Sequence, residues 1–302
     1  MAYSSAGLIE ATDYNNFLNG SNQLNTVWAS GTGNAGYGQT ALSTVSAGGT
    51  VTATQWATLI NTLNSILVHQ SGAGSGISAT TAGSTINYLA TLATAVNTAY
   101  TNRLNKAAGQ GTTITGGTYS PNFTSVSTAA AQTWSFTRTI TFGSANAARY
   151  FFNAGGYLNF ITTSVANNNG QGRSADWVTV IGTNFANLTG LRHNANDGRS
   201  GTLGTLNTNN TALGYYNLTT SGQTAVQVTS TGYPYSGDYV YCNLRSDANP
   251  GGVIYLDFVV YSGALQSDFG NKAINVTWNH RIDIIPPEST NLSNTWGTPT
   301  IS

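Results

Sequence analysis

Trp134-Ser135-Phe136-Thr137-Arg138-Thr139-Ile140-Thr141-Phe142 decides the architecture. Trp134, Phe136, Ile140 and Phe142 fall on one side of an extended chain, and Ser135, Thr137, Thr139 and Thr141 on the other. Successive side chains of a strand point to opposite faces, so this stretch reads as a strand with one buried face and one wet face. Arg138 interrupts the buried side. A guanidinium out of water is costly unless paired, so Arg138 is expected at a sheet edge or, preferably, in an ion pair with a carboxylate.

Downstream, the same alternation recurs in Tyr157 to Thr163, Thr224 to Thr229, Tyr239 to Arg245, Val253 to Tyr261 and Ala273 to Ile285, separated by Gly, Asn, Asp and Pro clusters. No long βαβ spacing intervenes, which predicts an antiparallel, jelly-roll-like β-sandwich. Asp176 to Leu191 is ambiguous. Its Trp177, Val180, Ile181, Phe185 and Leu188 suit a helix at least as well as a strand, and Gly182 weakens the helix. The lone cysteine, Cys242, alternates with Val240 and Leu244 and reads as a small core residue, so no disulfide framework exists within the chain.

Upstream, the period changes to that of a helix. Trp56, Leu59, Ile60, Leu63, Ile66 and Leu67 recur at three- and four-residue steps, with Thr52 or Thr54 as N-cap and Gly72 and Gly74 as terminators. A second stripe runs from Ile86 to Leu104 after Ser84 and predicts a helix of about five turns. Ala11 to Trp28 predicts another, beginning at Thr12 or Asp13 and interrupted by Gly20. The fold class expected is therefore α+β: a helical segment at 1–108, a linker or arm at 109–131, a β-sandwich at 132–285 and an extended tail at 286–302, free to lie on a neighbour. No repeat covers the chain.

Composition bears on function. Charged residues make up 7% of the 302, with ten basic and ten acidic, against roughly 25% in typical soluble domains. Thr, Ser, Asn and Gly take their place. A surface of hydroxyls and amides is desolvated against a copy of itself more cheaply than one of Lys and Glu, so the composition suits subunit interfaces. A secreted, glycan-facing β protein is the other composition-level reading. Two lysines and eight arginines, dispersed and balanced by acids, exclude a phosphate-neutralising stripe, so no nucleic acid is expected as partner. The first residues, Met1 to Gly7, have no basic and apolar leader pattern, and no apolar run reaches the ~18 residues of a membrane span. Synthesis in a cytosol without membrane insertion is expected.

Candidate chemistry is sparse. Gly31-Thr32-Gly33-Asn34-Ala35-Gly36-Tyr37-Gly38-Gln39 has the glycines of a phosphate loop but follows a helical segment and lacks the lysine, so a structural turn is favoured. His69, His193 and His280 share no metal-ligand spacing. Arg192 to Gly198 alternates oxygen ligands as calcium loops do, yet lacks the acids at their first and last positions. No nucleophile elbow is followed by a convincing Asp and His. Among scattered carboxylates, Asp257 is expected to be partly buried, and its plainer reading is a solvent-facing residue paired with Arg138 or Arg281. No cofactor, metal or catalytic residue is assigned. Exposed aromatics remain: Tyr215-Tyr216 and Tyr233-Pro234-Tyr235 are candidate contacts for a glycan or a partner protein, with Tyr233 and Tyr235 the best exposed.

Four stretches carry a resemblance: Ala11 to Asn16, Gly31 to Gln39, Gln55-Trp56 with the helix through His69, and Tyr150-Phe151-Phe152-Asn153-Ala154-Gly155-Gly156. Gly214-Tyr215-Tyr216-Asn217-Leu218-Thr219-Thr220 adds a fifth. Together they resemble virion structural proteins of tailed phages, especially cyanophages and other marine phages. In that family a basic residue often follows the double glycine where this chain has Asn159. The resemblance implies a non-enzymatic virion component: a tail fibre or adhesin, or a baseplate-peripheral adaptor, working as an oligomer and most simply a trimer. Other virion proteins and a host-surface glycan are the implied partners, the helical segment docking to the particle and the β domain projecting. A head-decorating or cement protein is the alternative, and a surface-glycan depolymerase the enzymatic one. From the residues themselves, Gly155-Gly156 predicts a tight bend feeding the next strand.

Overall fold

A computed structural model of the chain describes residues 10–79, 81–107, 109–126, 130–185, 187–193, 208–264 and 273–302. The N-terminal leader reading and most of the calcium-like stretch lie outside them. The fold is α+β, with helices preceding an antiparallel sandwich, and the chain divides into two compact units. The division does not follow the chain: the helical unit comprises 1–111, 146–156 and 286–297, and the β unit 112–145, 157–285 and 298–302.

In the helical unit, α1 (Ala11–Leu18) and α2 (Leu24–Trp28) are separated at Gly20, whose φ of +148 leaves the helical region. α3 (Ala53–Ser71) starts at Thr52, the first of its two candidate caps: Thr52 Oγ1 accepts from Gln55 N at 3.2 Å, and the Gln55 side chain accepts from Thr52 N at 2.8 Å. Gly72 ends it in the left-handed region. α4 (Leu89–Thr101) is shorter than its stripe. Ser84 does not cap it, because its hydroxyl and backbone N–H are both engaged with Thr81 in a turn. α5 (Ala145–Asn153) is a helix that the sequence reading did not anticipate. Beyond it, Gly155 turns at φ +86 and Gly156 N bonds to Phe151 O at 2.9 Å, and Tyr157 then begins a strand as the double glycine predicts. Trp56, packed edge-on against Tyr14 and Phe17 at 5.6 and 5.9 Å, lies in a core with Leu59, Ile60, Leu63, Ile66, Leu92 and Val96.

The tail, expected to be extended over 286–302, is divided between the units, and its residues 286–297 are part of this core. Leu292 and Trp296 are buried, and Glu288 Oε1 accepts from His69 Nδ1 at 2.9 Å. Two buried apolar side chains and a carboxylate taken up by a buried imidazole hold the segment down. Burial outweighs the carboxylate's pull and lowers the His69 pKa, so the imidazole is neutral near pH 7 and donates a hydrogen bond to a charged Glu288. Burial alone raises the Glu288 pKa, but donors from His69, Asn291 and Thr290 bring it below the usual range.

In the β unit the strands are β1 (Ile114–Thr115), β2 (Asn122–Ser125), β3 (Gln132–Thr141), β4 (Tyr157–Asn167), β5 (Asn187–Leu191), β6 (Thr208–Asn209), β7 (Gln223–Thr229), β8 (Tyr239–Ser246), β9 (Val253–Ser262), β10 (Ile274–Ile285) and β11 (Thr300–Ile301). Among the described residues one sheet runs β1-β10-β4-β5, with β2 also on β10, and the other β11-β3-β9-β8-β7-β6. Every pairing is antiparallel. The two sheets meet through aromatic rings: Phe258 and Phe136 from one lie against Phe160 and His280 from the other at 4.7 and 5.2 Å. Val240, Cys242 and Leu244 are fully buried. The stretch expected as a linker supplies β1 and β2 instead, its Thr and Ser backbone pairing with β10.

The ambiguous segment splits. α6 (Gly172–Trp177) widens into a π-helical stretch, Val178–Phe185, and then gives way to β5. Gly190, at φ +74, donates its N–H to Asn159 Oδ1 at 2.8 Å. A lysine or arginine, having no acceptor, cannot make that contact, so the departure at Asn159 has a local structural consequence.

Arg138 lies where the sequence places it, at a sheet edge, because β11 pairs only with Ile140 and Thr141 and leaves most of β3 without a neighbour on that side. It is buried, its Nε donates to Ser302 O at 3.0 Å and its guanidinium lies 4.8 Å from the Tyr119 ring. The carboxylate of Asp257 is on the opposite face of the sheet, because residues 138 and 257 differ in strand parity.

Candidate functional site

On β3, β9 and β8 every second side chain faces out, and on β7 the alternation holds from Val226 onward, past a bulge between Thr224 and Val226. Register sets them side by side: Thr133, Tyr261, Tyr239 and Thr229 in one row, Ser135, Val259, Tyr241 and Gln227 in the next, then Thr137, Asp257, Asn243 and Thr224, then Thr139, Tyr255 and Arg245. The inward neighbours Val240, Cys242, Leu244, Ile254, Leu256, Phe258 and Val260 fill the core and fix this parity.

Tyr239 stacks on Tyr261 directly opposite, ring centroids 4.6 Å apart, and on Tyr241 at 6.1 Å, so three phenol hydroxyls stand together. Partial burial, and then the neighbouring Tyr241 and Tyr261, hold the Tyr239 hydroxyl in its neutral form by raising its pKa. Four residues along, Asp257 is held from two sides: Arg245 Nε reaches Oδ2 at 2.6 Å and Thr137 Oγ1 donates to Oδ1 at 2.7 Å. Arg245 lies 3.8 Å above the Tyr255 ring, and the Asp257 hydrogen bond raises its pKa further. Thr224 Oγ1 donates to Asn243 Oδ1 at 2.9 Å. The face is therefore neutral, its one charge pair closed on itself. Asp257 is solvent-facing as its plainer reading expects, but its partner is Arg245 and not Arg138 or Arg281.

The four tyrosines singled out by sequence do not converge on this face. Tyr215 is buried, at 1% exposure, and its hydroxyl donates to Gly251 O at 2.7 Å, which corrects its expected exposure. Tyr216 is half-buried and edge-on to Tyr215 at 5.0 Å. Tyr233 is 82% exposed, whereas Tyr235 is half-buried, 6.0 Å from the Arg173 guanidinium. The first pair lies by the β8–β9 turn and the second by the β7–β8 turn, at opposite ends of β8. Sequence reasoning missed Tyr239, Tyr241, Tyr255 and Tyr261. Their signal is present: all occupy odd positions in strands whose even positions are apolar.

A second polar cluster sits under the β7–β8 turn. Buried Arg173 and Asp238 form an ion pair at 3.0 Å, Arg173 also donates to the Gly263 carbonyl, and Asp238 accepts from Ser262 Oγ and Gly263 N at 3.1 and 2.8 Å. Asp176 beside them accepts from Ser230 Oγ at 2.9 Å, and burial pushes its pKa up to about 6. A raised carboxyl near a second one is the pattern of an acid catalyst. Here, however, Asp238 is saturated by its own donors and the cluster ties α6 to the turn.

The glycine-rich stretch has the opposite polarity to a phosphate cradle. Its carbonyls point at guanidinium groups: Arg149 donates to Ser30 O and Gly33 O at 2.6 and 3.1 Å, and Arg103 to Asn34 O and Oδ1 at 3.2 and 2.9 Å. Asn153 Nδ2 donates to Gly36 O at 3.0 Å, and the Tyr150 ring covers Gly38. Residues 31–39 and 150–156 thus fold onto each other within one unit.

Among the described residues no group of three or more His, Cys, Asp or Glu is placed to hold a metal, and no helix is long and apolar enough to cross a membrane. Comparison with known proteins gives no significant match: no family model fits the chain, no curated protein aligns with it and no solved structure resembles it.

Proposed function

We propose that the chain is a non-catalytic structural subunit of a tailed-phage virion, a tail fibre or adhesin or a baseplate-peripheral adaptor, working as a homo-oligomer and most simply a trimer. One observation carries this reading. Among the described residues the outward faces of both sheets are mostly hydroxyls, amides and phenols with a few aliphatic side chains such as Val253, Val259 and Ile161, and Arg245–Asp257 and Arg281–Asp283 on them pair at 2.6 and 3.0 Å. On the second sheet, Asn168 bridges Asn275 and Thr277, and Asn279 donates to Ser164. Such surfaces lose water against another subunit without stranding a charge. The mutual packing of residues 31–39 and 150–156 supports the phage reading further, because the resembling stretches then preserve one another's contacts.

Gold-labelled antibody against the chain, applied to the particle whose genome encodes it, is the test. Label at the tail is expected. Label spread over the head replaces this reading with a capsid cement protein, which the same neutral surface also suits, and absence from the particle removes both.

A further inference from the structure

Half of the β3 backbone is unused. Its even residues bond towards β9, and its odd residues point the other way: Thr139 exchanges N–H···O bonds with Ser302 in both directions at 2.9 Å, whereas Phe142 N bonds to Gly252 O at 2.9 Å. The N–H and C=O groups of Thr133, Ser135 and Thr137 therefore face outward from the sheet edge, and among the described residues no strand meets them. Edge strands are ordinarily guarded by lysine, proline or a bulge. Gln132 to Thr137 contains neither residue type, and its register with β9 is unbroken. The core-facing side chains Trp134 and Phe136 are only half-buried, and Tyr119, which packs on Phe136 at 5.7 Å from the other sheet, is 41% exposed.

Arg138 closes this stretch. It is 5% exposed, its Nε reaches Ser302 O on the edge side of the strand, its Nη1 has no partner, and no side-chain carboxylate among the described residues meets it. An inward-pointing charge on an edge turns away an uncharged strand, which would seal it in, and turns away the β3 of a second copy for the same reason. A strand that brings its own carboxylate reverses that penalty. The Tyr119 ring over the guanidinium is open to solvent on its outer side and can swing clear. Every carboxylate among the described residues is already engaged within the chain, from the Glu10–Asp13 capping box to Glu288 on His69, which leaves the acid to a separate protein.

We propose that the β3 edge from Gln132 to Arg138 binds an extended segment of another protein as an added strand, antiparallel as β11 is, with a carboxylate side chain opposite Arg138. Residues of that strand opposite Phe136 and Trp134 face inward and are apolar, and those opposite Thr137, Ser135 and Thr133 face out and bond to β3 in both directions. The inference rests on the virion reading only for where the partner is found.

The test is titration calorimetry of the full chain with the capped heptapeptide Glu-Thr-Val-Thr-Val-Thr-Val, whose glutamate lies opposite Arg138 in that register. A Kd on the order of 10⁻⁵ to 10⁻⁴ M is expected, weakened about tenfold or more when the glutamate is replaced by glutamine or lysine. N-methylation of the fourth peptide residue, whose N–H faces β3, is expected to abolish binding, and N-methylation of the fifth, whose N–H points away, to change it by less than about threefold. Ser135→Pro removes one outward N–H without touching the β9 ladder and is expected to abolish binding at unchanged unfolding temperature. No binding, equal affinity for the three head residues, or indifference to the position of the methyl group overturns the proposal. So does a fall in the chain's own oligomeric mass on adding peptide, which makes the edge a contact between copies. Particle labelling is decided separately, so failure here leaves the structural-subunit reading standing.

Discussion

Arg149 Nη2 donates to the carbonyl oxygen of Ser30 across 2.6 Å, although 119 positions separate the two residues. The same guanidinium reaches Gly33 O, so one planar fork closes the glycine loop onto α5. Arg149→Lys keeps the charge but offers a point donor in place of the fork. A loss of about 1–3 kcal/mol is expected in the unfolding free energy of the helical unit, measured in urea. An unchanged midpoint removes this contact from the stability of the loop.

Within that loop two glycines separate steric from conformational cost. Gly38 has φ +73, and a Cβ there lies 2.3 Å from the Tyr150 ring, whereas Gly33 has φ +54 and nothing within 4 Å. Gly33→Ala is expected to cost about 1–2 kcal/mol, the left-handed penalty alone. For Gly38→Ala the clash adds to it, and about 3 kcal/mol or more is expected. Paired melts of the two variants check the ordering, and equal losses contradict the packing of Tyr150.

Asp176, with its pKa raised from 3.8 to about 6, holds its proton more tightly in the fold than in the unfolded chain. It therefore contributes stability below the unfolded value, and that contribution is lost as pH rises through about 6. Asp176→Asn is expected to stabilise the β unit by on the order of 1–2 kcal/mol near pH 8, after allowing for solvent access, and by little near pH 4. His69 and Glu288 have the opposite sign. Both pKa values are lowered in the fold, so their contribution is present above the unfolded values and declines with acid. Unfolding of the Asp176 variant across this pH range, against the parent chain, isolates the first effect. A constant difference between the two refutes it.

His280 is fully buried among Phe136, Phe160, Phe258 and Trp278, and among the described residues neither ring nitrogen makes a well-formed hydrogen bond, the Trp278 backbone being the one polar neighbour that favours its charged form. Burial, and then the nearby Arg138, push its pKa down to about 3. Its contribution to stability is thus complete above the unfolded value and is lost as pH falls through the window down to about 3. Replacing it by leucine removes two unpaired polar atoms at similar volume. His280→Leu is expected to gain about 1 kcal/mol near neutral pH and more in acid. A lower melting temperature at both pH values indicates that the imidazole has a partner that matters.

Much of this was legible locally. The alternation in β3, β8 and β9 fixed which side chains enter the core, and the two candidate caps Thr52 and Thr54 placed the start of α3 to within a few residues, the structure selecting Thr52. α5 escaped notice because its buried positions, Ala148, Phe151 and Phe152, span barely two turns between strands. The return of residues 286–297 to the helical unit depends on His69 meeting Glu288, a contact between distant positions that no periodicity encodes. The outward tyrosines of β8 and β9 are legible only in the alternation of their strands and not in any loop signal. Tyr215 sits in a loop and is buried, while Tyr239 and Tyr261 sit in strands and face out.

Native mass spectrometry of the purified chain bears most directly on whether this charge-poor surface is covered by copies of itself. Each chain weighs 31.5 kDa, and a species of three chains is expected. A stable, freely soluble single chain at the same concentration contradicts it.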